Sequence, residues 1–345
     1  MFFIWRKYIF FDKIVELFKI FRIFQAIVSI VHFFNSFSEF HQREDVASRG
    51  LHLMETMSLP SYAKINLGLL LLQKREDGYH DIATIFQEID LHDTIIFRKV
   101  PSSIHITSTN PNLPLDGDNL VYRAFRLFQE KVGIREGLKI HIDKHIPIGG
   151  GLGGGSSNAA ATLVAANRLW ERNLSHSELQ TMAIEIGSDV PFFLMGGTAL
   201  GRGRGEILTP LTWKTDCWVL LVCPMITVST SWVYKHSKIA LTKEEKFTKF
   251  GTIFEKCTPH ALRENAVNDL ESVVFRRHPI LREVKELLYK RDAFYASMSG
   301  SGSSVFGLFF HKEQAEAAKT FFSIERGMTT FLCKPISSRL QNEVS

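Results

Sequence analysis

A run of glycines between a predicted strand and a predicted helix constrains this chain more than any other stretch. Six of the seven residues at positions 149–155 are glycine, and Ser156-Ser157-Asn158 follows them. Residues 138–143 alternate apolar and polar side chains like a strand with one solvated face, and residues 159–166 are rich in helix formers. We therefore predict a strand, a glycine loop and a helix whose N-cap is Ser156, Ser157 or Asn158.

This strand, loop and helix form a candidate anion site. Glycines leave their backbone N–H groups open to close approach, and a helix N-terminus adds oriented donors and a positive dipole end. A tight turn or a flexible linker is the alternative, although six glycines cost backbone entropy that a structural turn rarely requires. We therefore expect the loop to hold the phosphates of a nucleotide.

Two commoner phosphate-binding loops fit the sequence poorly. A P-loop requires Gly-Lys-Ser/Thr after its glycines, and no lysine follows them here. The pattern Gly149-x-Gly151-x-x-Gly154 matches the dinucleotide fingerprint, and Glu171 lies near the expected acidic position. That fingerprint follows a buried parallel strand, however, whereas the alternation in residues 138–143 indicates a half-solvated one.

Length, charge and cysteine spacing limit the class of protein further. The 345 residues are enough for two domains, and 45% hydrophobic residues are ordinary for a globular protein. The net charge of +5 is too small to indicate a nucleic-acid-binding protein. The cysteines lack the spacing of a metal site, so we expect buried thiols and a cytoplasmic location. These cysteines are Cys217, Cys223, Cys257 and Cys333.

Residues 1–53 differ in composition from the rest of the chain. The first 50 residues hold 11 of the 28 phenylalanines, and basic residues punctuate the apolar positions. Their longest uncharged run, residues 23–38, is shorter than the ~20 residues of a membrane span, and a signal peptide also fits poorly. We favour a start codon assigned too far upstream, with Met54 or Met57 as the true first residue. A basic amphipathic segment on a membrane surface is the alternative, and the intact mass of the native protein distinguishes the two.

The first regular strand, predicted for residues 61–72, carries two polar residues on one face. Lys64 and Asn66 are two positions apart, so their side chains project from the same side of the strand. A lysine in such an apolar run is rarely buried without a partner, so the pair marks either a solvated strand end or a site. A turn with Asp77-Gly78 at its centre follows the strand.

The remaining chain predicts helices and strands in two parts. We predict helices at 118–131 and 175–186, and the second begins with a capping box of Ser175 and Glu178. We also predict a domain boundary that separates residues 54–212 from residues 213–345. The other predicted elements are strands at 85–89, 94–97, 218–224, 305–310 and 330–333, helices within 230–290 and at 314–322, and a second glycine-rich turn at 196–206.

Three stretches, in this order, resemble the motifs of the GHMP kinases, the family of galactokinase, homoserine kinase and mevalonate kinase. Residues 62–67 resemble the family's first motif, the glycine loop resembles its ATP loop, and residues 299–304 resemble its third motif. Residues 63–67, 77–80 and 187–191 are most similar to the branch that phosphorylates the 2-hydroxyl of 4-diphosphocytidyl-2-C-methyl-D-erythritol in the non-mevalonate isoprenoid route. The resemblance runs from residue 58 to about residue 335.

The resemblance implies a two-domain α+β fold and ATP-dependent phosphoryl transfer to a hydroxyl group. The N-terminal domain would be like a ribosomal-protein fold and the C-terminal domain ferredoxin-like, with both ligands in the cleft between them. The implied ligands are ATP with Mg²⁺ and a small-molecule substrate, a cytidine-diphosphate-linked methylerythritol. The resemblance does not assign protein ligands to Mg²⁺. It is compatible with either a monomer or a homodimer. Another small-molecule kinase of this family and a non-catalytic ligand-binding member of the fold are the alternative functions.

The resemblance also implies roles for residues around the acceptor. Asp189 would act as the general base, Lys64 beside it would keep that carboxylate ionised, and Asn66 would orient the substrate. A turn aspartate and a surface lysine are the ordinary alternatives for the first two. The residues implied to bind the cytidine end are Tyr79, His80 and Tyr234.

A second group of residues would surround ATP. Asn119 would lie at the adenine side, although a plain helix cap explains it nearly as well. Ser156 or Ser157 would offer a hydroxyl group to Mg²⁺. In the second glycine-rich turn, away from ATP, Arg202 and Arg204 would either contact the diphosphate of the substrate or lie in solvent. The residues implied to hold the phosphates are Pro147, Ile148, Gly149, Gly150, Gly151, Leu152, Gly153, Gly154, Gly155, Ser156 and Ser157.

Overall fold

The structure, a computed structural model, describes residues 56–212, 216–237 and 259–337. The predictions for residues 1–53 and for Cys257 lie outside these ranges. The strands are β1 Thr56–Lys74, β2 His80–Val100, β3 Ile104–Ser108, β4 Gly137–Asp143, β5 Thr198–Gly203, β6 Ile207–Leu211, β7 Trp218–Cys223, β8 Tyr295–Met298, β9 Val305–Phe309 and β10 Thr329–Cys333. The helices are α1 Leu120–Val132, α2 Gly154–Leu169, α3 His176–Ile186, α4 Val190–Met195, α5 Thr230–His236, α6 Pro259–Asn265, α7 Glu271–Arg277, α8 Pro279–Lys290 and α9 Lys312–Thr320, which a π-helical turn, Phe321–Glu325, extends.

The long strand β2 organises the first sheet. The strand order is β3-β4-β2-β5-β6, and β1 pairs with β2 as well. We predicted two separate strands at 85–89 and 94–97, and this was wrong, because β2 is one strand of 21 residues. It stays continuous since β1 pairs antiparallel with nearly its whole length, while β5 pairs with its first part and β4 with its last.

The strand before the glycine loop has the polar face that its sequence predicts. Leu138, Ile140 and Ile142 of β4 are buried, and the residues between them are half-buried. The apolar face packs with Phe97 and Phe125 in the core under α1, α2 and α3. This confirms that the loop follows a strand solvated on one side, paired parallel to β3 and antiparallel to β2.

The second sheet has the ferredoxin-like strand order that the resemblance implies. Its order is β10-β7-β9-β8, and every neighbouring pair is antiparallel. Along β7, Leu220 and Val222 pack against the layer of α7, α8 and α9. Val219 and Leu221 pack on the opposite side with Ile65 of β1. Both faces of β7 are therefore apolar and buried.

The core that contains Val219, Leu221 and Ile65 joins the two sheets. Phe306 of β9 and Leu67 of β1 belong to the same buried cluster. This shared core explains why residues from Glu55 onward form one compact unit. The boundary at residues 212 and 213 stays a prediction; it falls between the last strand of the first sheet and the first strand of the second.

The helix caps follow the sequence in two cases and depart from it in one. Ser175 and Glu178 form the predicted capping box of α3, and Asn119 Oδ1 accepts a hydrogen bond from Val121 N at the start of α1. The N-cap predicted for α2 was wrong, because that helix begins at Gly154 after a left-handed Gly153. The side chains that we expected to cap it turn inward instead, where the Ser61 hydroxyl bonds both Ser157 Oγ and Asn158 Oδ1 at 2.7 Å.

The buried thiols are confirmed for the cysteines that the structure describes. Cys217, Cys223 and Cys333 are buried and free. Among the described residues, no helix combines the length and apolar character that crossing a membrane requires.

Candidate active site

One large cavity gathers the three motif stretches. It measures about 1280 Å³ and lies where β1, the turn at 77–80, the glycine loop, residues 187–189, α5 and the third motif meet. The residues of the sequence prediction that line it are Lys64, Asn66, Tyr79, His80, Gly151, Gly153, Ser156, Asp189 and Tyr234. Lys64 and Ser301, which are 237 positions apart in sequence, are thus brought to one site.

Lys64 lines this cavity with a buried ammonium group. Its Nζ donates hydrogen bonds to Asn66 Oδ1 at 2.6 Å and to the Gly151 carbonyl at 3.0 Å. It also lies 3.5 Å from Asp189 Oδ2, and the Lys64 side chain is only 5% exposed. Because a buried charge requires such partners, the structure excludes the solvated alternative for Lys64, and its role in catalysis stays a prediction.

The amide of Asn66 is held at both ends. Its Oδ1 accepts from Lys64, and its Nδ2 donates to Thr84 Oγ1 at 2.8 Å, which in turn donates to the Gly68 carbonyl at 2.7 Å. This chain fixes the orientation of the amide, so that its oxygen faces the ammonium group. Asn66 therefore positions Lys64, and a direct contact of Asn66 with substrate stays a prediction.

Asp189 lies at the start of the short helix α4. It occupies the N-cap position, but its carboxylate makes no capping hydrogen bond. The side chain is 32% exposed and faces the cavity, 3.5 Å from the ammonium group of Lys64. Asp189 is thus an aspartate at a helix end, as the ordinary alternative has it, but its carboxylate faces the cavity instead of capping the helix, and its role as general base stays a prediction.

The glycine loop passes so close to β1 and the third motif that side chains would not fit. Gly151 and Gly153 have φ angles of +74° and +71°, which glycine adopts at little cost. A Cβ atom on Gly151 would lie 2.2 Å from the Ser299 carbonyl, and one on Gly153 would lie 2.6 Å from Phe193 Cζ and 3.1 Å from Lys64 Cγ. The loop also accepts a hydrogen bond from Lys64 N to the Leu152 carbonyl at 3.0 Å.

The third motif buttresses the loop from the other side. Ser299 Oγ donates to the Gly151 carbonyl at 2.9 Å, and Ser304 N donates to the Gly150 carbonyl at 3.2 Å. Ser301 Oγ lies 2.9 Å from Thr230 Oγ1 of α5. The serine-rich stretch at 299–304 therefore ties both the glycine loop and α5 to the edge of the second sheet.

A buried ion pair below the loop was missed from sequence. Lys144 Nζ lies 2.8 Å from Asp93 Oδ2, and both side chains are almost fully buried. Asp93 Oδ1 accepts from His145 N and Ile146 N, both at 2.8 Å, so one carboxylate fixes the chain just ahead of the glycines. Burial lowers the pKa of Lys144, and the Asp93 carboxylate opposes that shift. Only the position of Lys144 at a strand end could have signalled this pair.

The residues predicted for the cytidine end form the outer part of the cavity. The ring centroids of His80 and Tyr234 are 5.6 Å apart, and His80 is buried whereas Tyr79 is 57% exposed. Burial lowers the pKa of His80, and the positive charge of Lys74 lowers it further, so the imidazole is neutral at pH 7. Burial raises the pKa of Tyr234, and the charge of Asp189 raises it further.

Other predicted residues lie away from the cavity surface. Leu152 is buried in the core between the sheets, while Ile148 is 49% exposed. Ser157 is buried against Ser61. Asn119 has its amide engaged, since Nδ2 donates to the Pro114 carbonyl at 2.7 Å while Oδ1 caps α1. The contacts of Asn119 thus account for a cap, and its adenine contact stays a prediction.

Comparisons with known proteins agree with this geometry. A family model described as the GHMP kinases N terminal domain matches residues 119–197, and the GHMP kinases C terminal model matches residues 256–325. A protein named 4-diphosphocytidyl-2-C-methyl-D-erythritol kinase from Alkaliphilus metalliredigens is 40% identical over 275 residues, 79% of this chain and 94% of that protein. The chain belongs to the GHMP kinase family.

One further relative and two solved structures also resemble this GHMP kinase over most of its length. A protein of the same name from Caldicellulosiruptor saccharolyticus is 42% identical over 75% of this chain and 90% of its own length. A crystal structure of 4-(cytidine 5'-diphospho)-2C-methyl-D-erythritol kinase is 32% identical with a TM-score of 0.67, and covers 81% of this chain and 99% of that chain. A homoserine kinase from Cytophaga hutchinsonii has the same TM-score at 20% identity, covers 84% of this chain and 98% of its own, and shares the fold.

As a GHMP kinase the protein uses ATP as the phosphoryl donor, and the loop geometry suits that ligand. In the described part of the chain, no three His, Cys, Asp or Glu side chains cluster into a preformed metal site. The cavity lining nevertheless includes one suitable oxygen atom, the Ser156 hydroxyl. Mg²⁺ usually takes one or two protein ligands and completes its shell with phosphate oxygens and water, so a single hydroxyl ligand fits the ion.

We predict that Gly153→Ala weakens ATP binding at least about 10-fold, because the added Cβ displaces Phe193 or Lys64. The matched control is Gly149→Ala in the same loop, where φ is also positive but a Cβ meets nothing within 4 Å. Both variants carry similar backbone strain, so only the crowding differs. Calorimetric titration with ATP measures the effect. Equal affinities of the two variants for ATP would contradict the crowding argument.

Proposed function

We propose that this GHMP kinase transfers the γ-phosphoryl group of ATP to the 2-hydroxyl of 4-diphosphocytidyl-2-C-methyl-D-erythritol. The observation that carries the proposal is the cavity lining, in which the turn at 77–80 and Tyr234 lie beside Lys64 and Asp189. Relatives named for this substrate are 40–42% identical over at least 90% of their length. The product would serve the non-mevalonate route to isoprenoid precursors.

Asp189 is the general base of the proposed reaction. The 2-hydroxyl gives its proton to the Asp189 carboxylate as its oxygen bonds to the γ-phosphorus, and the bond from that phosphorus to the bridging oxygen breaks to release ADP. Partial exposure into the cavity and the lack of a capping hydrogen bond support this role, since the carboxylate is free to meet a substrate hydroxyl.

Lys64 stabilises negative charge on both sides of the transfer. Its ammonium group keeps the Asp189 carboxylate ionised and lies near the oxygen on which charge develops. Asn66 and the Gly151 carbonyl fix its position in advance. Because no reorganisation is then required during the reaction, the attraction is fully available in the transition state.

The glycine loop binds the phosphates of ATP in this proposal. Gly151, Gly153 and Ser156 line the cavity at the start of α2, and no capping side chain occupies the first backbone N–H groups of that helix, which are therefore available to phosphate oxygens. The Ser156 hydroxyl is the protein group placed to contact Mg²⁺, because Ser157 is engaged by Ser61. Mg²⁺, when bound with ATP, neutralises charge between the phosphates.

Tyr79, His80 and Tyr234 bind the cytidine end. Aromatic rings stack on a pyrimidine, and a neutral imidazole both donates and accepts hydrogen bonds. The closeness of His80 and Tyr234 supports this assignment.

Three free, buried thiols support the proposed cytoplasmic location. Whether the protein is a monomer or a homodimer stays a prediction.

We expect the protein to release ADP with 4-diphosphocytidyl-2-C-methyl-D-erythritol and to release little with homoserine or mevalonate. The reason is that the aromatic outer part of the cavity has no partner in the two smaller alcohols. A coupled ADP assay with equal concentrations of the three acceptors measures the preference. Turnover mainly with homoserine or mevalonate would support another kinase of the family, and no turnover with any acceptor would support a ligand-binding member of the fold.

We predict that Asp189→Asn lowers kcat by at least about 1,000-fold while the affinity for ATP changes less than about 3-fold. The substitution keeps the shape of the side chain but removes the proton acceptor and the partner of Lys64. Asp118→Asn, an exposed carboxylate outside the cavity, is the matched control. Single-turnover kinetics and ATP titration measure the two quantities. Turnover of Asp189→Asn near that of Asp118→Asn would rule out Asp189 as the base.

A further inference from the structure

Arg204 begins the turn between β5 and β6 and lies in the wall of the large cavity. Its guanidinium carbon is 5.2 Å from the centroid of the Tyr79 ring. The next residue, Gly205, lies beside the proposed base, since a Cβ built on it would be 3.8 Å from Asp189 Oδ1. The turn therefore spans the distance between the aromatic outer part of the cavity and the reacting end.

We propose that Arg204 binds the diphosphate group of the substrate, an inference that rests on the proposed function. In a cytidine-diphosphate-linked alcohol, the diphosphate is the part that joins the pyrimidine nucleoside to the acceptor. With the cytidine at Tyr79 and the acceptor hydroxyl at Asp189, the diphosphate crosses the wall that Arg204 forms. A guanidinium group suits this place because its planar fork bonds two phosphate oxygens at once.

The neighbouring carboxylate orients Arg204 without occupying its donors. Glu206 Oε2 accepts a hydrogen bond from Arg204 N at 2.6 Å, which fixes the carboxylate over the turn. Glu206 Oε1 lies 3.6 Å from Arg204 Nε, a distance that allows charge attraction but is too long for a hydrogen bond. A guanidinium group has five N–H donors, so donors are available to a ligand. The side chain is only 29% exposed, which strengthens its attraction for an anion.

Arg202, two residues earlier, provides the contrast within the same hairpin. It is exposed and, among the described residues, lies outside the cavity lining. Lys74 and Lys235 also line the cavity, but the position of Arg204 between the Tyr79 ring and the turn at Asp189 makes it the cation that the diphosphate passes. Of the two arginines in the glycine-rich turn, Arg204 is thus the one in contact with substrate.

The test compares CDP with cytidine as ligands of the full-length protein. Dissociation constants for both are measured by calorimetry for the wild type, Arg204→Gln, Arg204→Lys and the control Arg202→Gln. We expect Arg204→Gln to weaken CDP binding about 10- to 100-fold and cytidine binding less than about 3-fold. Arg204→Lys, which keeps the charge but not the fork, has an intermediate affinity for CDP. Arg202→Gln binds both ligands like the wild type, and KM for ATP is unchanged in all variants.

Two results would overturn this inference. Wild-type affinity of Arg204→Gln for CDP would remove Arg204 from the diphosphate site. Equal losses for CDP and cytidine would show that Arg204 acts only by holding the Tyr79 ring. Either result leaves the proposed function intact if the wild type phosphorylates the cytidine-linked alcohol, whereas failure of the wild type to do so counts against the function itself.

Discussion

The buried ammonium group of Lys64 is the interaction on which the rest of the site depends. A charge that is 5% exposed is costly unless oxygen atoms surround it, and its partners come from three separate parts of the chain. Asn66 belongs to the same strand, the Gly151 carbonyl to the glycine loop, and Asp189 to the start of α4. The ammonium group is therefore satisfied only when strand, loop and helix start are all in place. The contacts that satisfy this buried charge are thus the same contacts that assemble the site.

The glycines explain how backbone replaces side chains around that ammonium group. Gly151 and Gly153 adopt left-handed conformations, and β1, Phe193 and Ser299 lie too close for a Cβ atom at either position. The loop is thus pressed between the first strand and the third motif, and its Gly151 and Gly153 line the cavity. Below it, the Asp93–Lys144 pair fixes the residues that precede the glycines. Asp93 does this through two hydrogen bonds from the backbone, and loss of either member of the pair would leave an uncompensated buried charge at this point.

Periodicity predicted the parts of the site that follow from local chain geometry. The spacing of Lys64 and Asn66 placed both on one strand face, and the alternation in residues 138–143 gave the half-solvated strand before the loop. Non-local contacts decided the rest. Pairing with β1 made β2 continuous, and the hydroxyl of Ser61 drew Ser157 and Asn158 away from the helix end that they were expected to cap. The ion pair of Asp93 and Lys144 depends on strands that meet only in the folded sheet, so the strand-end position of Lys144 is its sole signal in the sequence.

One cavity holds both a phosphate-binding loop beside Lys64 and Asp189 and an aromatic recess around Tyr234. The proposed function requires that a phosphoryl group moves from ATP to a hydroxyl of the second ligand. Phosphorus NMR of the protein with ATP and 4-diphosphocytidyl-2-C-methyl-D-erythritol observes this transfer. We expect a new phosphomonoester signal that grows as the γ-phosphate signal of ATP declines, while the diphosphate of the substrate stays intact. Release of inorganic phosphate without a monoester signal, or cleavage of the diphosphate, would contradict the proposed function.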